Sequence, residues 1–123
     1  MQDFRNLVVW EKSHLLVLDV YKTTSTFPKS EMYGLTSQIR RACSSIPANI
    51  AEGCCRGSDL EFAQFLTIAL GSASELEYHL LLAKDLQLLN PDNYLVMNNK
   101  TNEIKKILVT LISKLKKKPV KIK

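Results

Sequence analysis

The sequence lacks the long apolar run, roughly 18–20 residues, that a membrane-spanning helix needs. Residues Met1 to Arg5 hold charge of both signs and lead into no signal-type apolar block with a small-residue cleavage site, so a cytoplasmic protein is expected. Sustained period-two alternation is also missing, which argues against strands. Cysteine is scarce. Cys43, Cys54 and Cys55 make an odd count with an adjacent pair, a poor disulfide framework, and they lack the two-residue gap that zinc sites favour. Reduced thiols are expected, with Cys43 as a small core residue. The phosphate-loop ending Gly-Lys-Ser/Thr is absent, as is the Glu-x-x-His pattern of di-iron bundles. Neither a cofactor, a metal site nor an enzyme is expected.

The chain has 123 residues, 46 % of them apolar, which suits one domain with a modest core. Four segments carry helical apolar periodicity. The first spans about 8–26, with Trp10, Val17, Val20, Tyr21 and Thr24 on one stripe, and ends at Phe27-Pro28 because the residue before proline avoids the α region. The second spans about 30–52, with Ser30 as N-cap, Glu31 in the first turn, and a stripe of Leu35, Ile39, Ala42, Cys43, Ile46 and Ile50. Pro47 predicts a kink in it and Gly53 a stop. The third spans about 58–88. It opens on the capping box Ser58 to Glu61, and its stripe is Phe62, Phe65, Leu66, Ala69, Ala73, Leu76, Leu80 and Ala83. The fourth spans about 91–115, capped by Asn90 with Pro91 at the first position, and Met97, Ile104, Ile107, Leu108, Leu111 and Leu115 line one side. Its polar early part, 98–102, is the weakest helical signal. Short connections favour antiparallel neighbours, so the expected fold is all-α, an antiparallel up-down-up-down four-helix bundle over 1–115 with a basic tail over 116–123.

The net charge of +5 sits in that tail. Residues 114–123 contain six lysines and no acid; without them the chain holds 11 basic and 12 acidic residues. A lysine tail solubilises, and it also adds affinity for nucleic acid through counterion release. Lys114, Lys116, Lys117 and Lys118 are its candidate phosphate contacts. Arg40 and Arg41, with Arg56 nearby in the chain, form the arginine cluster. The guanidinium fork suits phosphate and also suits an ion pair with a neighbouring acid. The Gly53 to Ser58 turn precedes a helix N-terminus where amides could hold a phosphate, but Asp59 and Glu61 already occupy the positive end of that dipole, so a turn and cap is the favoured reading. Most aromatics fall on core stripes, which leaves no stacking platform for bases. His14 lies on an apolar stripe. Glu75 and His79, one turn apart, read as a helix-stabilising pair.

The middle segments carry small residues away from their core stripes: Ser37, Ser44 and Ala48 in the second, Ala63, Thr67, Gly71 and Ser74 in the third. Arg41 and Tyr78 share these outer sides. A purely solvated face would hold more Lys and Glu, and small residues let another helix approach closely. Packing against a second copy of the chain is expected there.

Several runs carry a resemblance: Phe4 to Trp10 (FRNLVVW), Phe27-Pro28 with Glu31 and Tyr33 to Leu35, Gln38 to Ala42 (QIRRA), Ser45 to Gly53 (SIPANIAEG), and Ile68 to Ser72 (IALGS) with Glu75-Leu76. From about residue 4 to 115 the chain resembles the four-helix-bundle proteins named for intervening sequences of bacterial 23S ribosomal RNA genes. The resemblance implies an up-down bundle that assembles as a ring-like homopentamer and has no catalytic residues. Relatives serve as accessory factors of diversity-generating retroelements, where a basic barrel engages a reverse transcriptase and nucleic acid. The near-neutral body outside the tail departs from such a barrel. The resulting expectation is a non-catalytic homo-oligomer that binds RNA or DNA, with no membrane partner; the alternative is a protein-interaction scaffold with no nucleic-acid role.

Overall fold

The structure is a computed structural model that describes residues 2–117. Helix α1 spans Val8–Thr24, α2 Leu35–Cys54, α3 Asp59–Asp85 and α4 Pro91–Lys116. Short 3-10 turns at Phe4–Asn6 and Lys29–Glu31 precede α1 and α2. There is no strand among the described residues. Each helix packs on its chain neighbours, and α1 also meets α4. Pairs across the seams run in opposite senses of number. On α2 and α3, Arg41 meets Glu75, Ser45 meets Ser72, and Gly53 meets Phe62. On α1 and α4, Lys12 meets Glu103 and Asp19 meets Lys100.

Two helix starts follow from their sequences. Ser58 Oγ accepts from the Glu61 amide at 3.2 Å, and Asn90 Oδ1 accepts from the Asn93 amide at 2.7 Å. Each satisfies one of the orphan donors of its first turn. The expected Ser30 cap is not formed. Ser30 lies within the 3-10 turn, and Glu31 Oε1 accepts from the Leu35 amide at 3.2 Å instead. α1 ends at Thr24, two residues earlier than expected, and Phe27 then folds back into the core. Pro47 produces no break: it is buried, and α2 is continuous through it. The polar stretch at 98–102 is helical.

The core of α2 is the expected stripe, fully buried. The α3 stripe is buried too, except Phe65, which is half-buried under the Arg56 guanidinium. On α1 the buried line differs from the expected one. Val9, Ser13, Leu16, Val20 and Thr24 point inward, Trp10 and Val17 are half-buried, and Tyr21 is exposed. Buried hydroxyls explain why that line does not read as apolar. Ser13 donates to the Trp10 carbonyl at 2.9 Å and Thr24 to the Val20 carbonyl at 2.7 Å. Thr101 does the same on α4, to Met97 at 2.8 Å. A hydroxyl bonded to its own helix enters a core without an orphaned donor.

The α3 terminus carries a backbone cost. Gln87 has φ 63°, the only non-glycine with positive φ among the described residues. Its amide donates to the Lys84 carbonyl and the Leu88 amide to the Ala83 carbonyl, both at 2.9 Å. This is the paired closure that usually places glycine in the left-handed position. An L side chain there costs about 1 kcal/mol or more. Gln87→Gly is therefore expected to raise stability by roughly 1 kcal/mol, less the added freedom of the unfolded glycine. Urea unfolding reads this as a higher midpoint at an unchanged slope.

Candidate nucleic-acid interface

The three candidate arginines occupy two places. Arg40 and Arg41 lie in the second turn of α2, and Arg56 lies just past its end. Fifteen residues at 1.5 Å each separate Arg41 from Arg56 by about 22 Å along the helix.

Each arginine already has partners within the chain. Arg40 Nε donates to Thr24 Oγ1 at 2.9 Å, and its guanidinium lies 4.6 Å from the centre of the Tyr21 ring. It ties the end of α1 to α2. Arg41 pairs with Glu75 of α3 and donates to Gln38 Oε1 at 2.8 Å. The same Glu75 oxygen lies 3.2 Å from His79 Nε2. Desolvation pushes the Glu75 carboxyl up, but hydrogen bonds from His79 and Arg41 outweigh it and leave it below the ordinary carboxylate range. The expected Glu75–His79 pair is thus part of a three-residue bridge between α2 and α3. Arg56 pairs with Glu52 at 2.7 Å and stacks on Phe65.

Surroundings the sequence did not indicate complete the first place. Tyr21, Met32, Tyr33, Ser37, Arg40 and Arg41 line a concavity of about 390 Å³. Tyr33 is 96 % exposed and Tyr21 45 %. Aromatic faces therefore stand beside the arginines, where core placement was expected for Tyr21. Arginine with exposed rings is the combination that stacks bases and holds phosphates. Spacing could not have shown this, because Tyr33 lies in a connection and Tyr21 lies one helix away from Arg40.

Lys114, Lys116 and Lys117 differ from the arginines. None is in an ion pair among the described residues. They sit at the carbonyl end of α4, where cations also favour the helix dipole. Arg56 shares a cavity with Leu111 and Leu115 of α4, so these lysines and Arg56 belong to one end of the molecule. Lys118, also a candidate contact, lies outside the described residues.

The small-residue faces are placed mostly as expected. Ser37, Ala48, Thr67, Gly71 and Ser74 are exposed, and Ser44 is half-buried. A methyl group added at Gly71 would meet no atom within 4 Å. Ala63 is the exception. It is fully buried in the core of its own chain, so it does not belong to an outer face.

All three cysteines are free thiols. Burial pushes Cys43 up to about 12, and burial followed by the charge of Cys55 raises Cys54. Cys55 is exposed. Among the described residues no three His, Cys, Asp or Glu side chains are grouped to hold a metal ion. No helix among them is long and apolar enough to cross a membrane.

A sequence model described as 23S rRNA-intervening sequence protein matches residues 5–110. A solved structure from Bacteroides thetaiotaomicron, of a protein with unknown function from the S23 ribosomal protein family, superposes with a TM-score of 0.77. The two sequences are 32 % identical, over 85 % of this chain and 98 % of that one. None of the curated proteins matches.

Proposed function

Because the chain belongs to the 23S rRNA-intervening sequence protein family, we propose that it is a non-catalytic, antiparallel up-down bundle that assembles with copies of itself, as a pentamer, and binds nucleic acid as an accessory factor. RNA is the favoured ligand. The observation that carries the binding half is the contrast between paired arginines and lysines that make no ion pair among the described residues. Arg41 and Arg56 spend their charge on Glu75 and Glu52, while Lys114, Lys116 and Lys117 are in no ion pair among the described residues. A phosphate chain supplies that partner without any reading of sequence. The Arg40–Arg41 concavity with Tyr21 and Tyr33 offers a second contact at the opposite end of α2.

Gel-shift titration on structured ribosomal RNA at several salt concentrations tests this. Binding is expected to weaken steeply with salt. Neutralising the three lysines together (Lys114→Gln, Lys116→Gln and Lys117→Gln) is expected to flatten the log–log salt slope by about 2 to 3 units. No shift even at low salt would refute the reading.

A protein-interaction scaffold is the second reading. It is favoured by the apolar residues on the outer side of α3, where Leu60, Ile68 and Tyr78 are exposed around Thr67 and Gly71. Pull-down with nuclease treatment separates the two: partners that survive nuclease favour the scaffold.

A further inference from the structure

Helices α1 and α4 approach each other less closely than the other neighbouring pairs. Near the start of α1 their seam opens into a groove of about 360 Å³. Leu7 and Val8 form one wall, and Ile107 and Leu111 the other. Lys106 and Lys114 stand on its rim. No carboxylate lines it, and neither lysine has an ion-pair partner among the described residues. Further along the seam, Lys12 and Glu103 bridge α1 and α4 at 3.3 Å.

We propose that this groove binds a medium-chain fatty carboxylate. The acyl chain lies between the apolar walls, and the carboxylate pairs with Lys106 or Lys114. Three features lead to that ligand. The volume lies in the range of small-molecule sites, roughly 300–1,000 Å³. The rim is cationic with no competing acid, so an anionic head gains a charge-assisted hydrogen bond rather than displacing one already made. The length is bounded: the eight residues from Lys106 to Lys114 span about 12 Å, which matches a medium acyl chain. The site does not rest on the nucleic-acid reading, but it shares Lys114 with it.

Titration of the full chain with decanoate, below the concentration at which it forms micelles, tests the proposal by calorimetry and methyl NMR. One decanoate per chain is expected, with shifts at the Val8, Ile107 and Leu111 methyls. Decanol, which lacks the charge, is expected to bind about tenfold more weakly, and the Lys106→Ala/Lys114→Ala variant is expected to lose about tenfold for decanoate. Val8→Trp fills the groove from an exposed position without disturbing the core, and is expected to abolish binding. The proposal is overturned by the absence of saturable binding at millimolar decanoate, by shifts confined to other methyls, or by equal affinity for decanol. It is equally overturned if the double lysine variant or Val8→Trp leaves decanoate affinity unchanged, or if only vesicles of anionic phospholipid bind.

Discussion

Gly71→Arg is expected to leave the chain folded and to reduce the proposed assembly to a monomer. The two halves of that expectation rest on different physics. Within one chain, a Cβ at Gly71 meets nothing within 4 Å. Replacing a helix-interior glycine by arginine there gains close to 1 kcal/mol of helix propensity. The isolated fold should therefore become slightly more stable. Between chains the effect reverses. Leu60, Thr67, Gly71, Ser74 and Tyr78 recur at helical spacing on one exposed strip of α3. If a copy packs on that strip, an arginine at its centre is both too large and a buried charge without a partner, which costs several kcal/mol per interface. Repeated around a closed ring, that cost removes the assembly. Size-exclusion with light scattering at micromolar concentration reads the outcome, and thermal unfolding shows that the variant is folded. A wild-type chain that is strictly monomeric, or a variant that keeps the wild-type mass, would refute assembly through this strip.

What the sequence made legible divides along a physical line. Features decided within one or two helical turns were readable. Ser58 and Asn90 cap because their side chains reach only three residues on. The α2 stripe is unambiguous because its apolar residues recur without competing apolar positions, whereas α3 also carries Leu60, Ile68 and Leu81 outside its buried line. On α1 the signal was ambiguous: Leu15 and Leu18 are both exposed, while Ser13 is buried. Several stripes of similar apolarity were available, and the buried one contains two hydroxyls whose bonds to their own helix are invisible in a residue-type pattern. Glu31 replaced Ser30 as the cap because a 3-10 turn, not a direct entry, leads into α2. Ala63 carries too little apolar surface to declare its side, and packing alone turned it inward. The partners of the arginines were beyond reach for a simpler reason. Arg40 meets Thr24 across 16 residues and Arg41 meets Glu75 across 34, separations that the tertiary fold sets and local spacing does not. The same holds for Tyr21 and Tyr33, whose exposure beside Arg40 and Arg41 appears only once α1 and α2 are docked.

Gly53 shows how a residue can be noticed for one reason and required for another. Its position suggested a helix stop, yet α2 continues through it to Cys54, and its φ is not positive. The requirement is space. A Cβ built on Gly53 would lie 2.8 Å from Phe62 Cδ1 and 3.0 Å from Phe65 Cβ. Phe62 is buried and cannot swing away, and Phe65 is held under Arg56. The absence of a side chain at this point lets the start of α3 close onto the end of α2. Gly53→Ala gains about 1 kcal/mol of helix propensity, but overpacking a tight contact costs typically 1–3 kcal/mol. The clash is set against the base of one side chain and the ring of another, so the loss is expected to win by about 1–2 kcal/mol. Gly53→Leu cannot be accommodated by small shifts and is expected to cost more than about 3 kcal/mol, a large share of a small domain's stability. Urea unfolding of both variants measures this. Phe62→Leu tests the cause: it destabilises the wild-type chain, but combined with Gly53→Ala it relieves the clash. The double variant is then more stable than the sum of the two single losses predicts, by a coupling of about 1 kcal/mol. Strict additivity, or a Gly53→Ala chain as stable as the parent, would mean that α2 and α3 do not need this close approach.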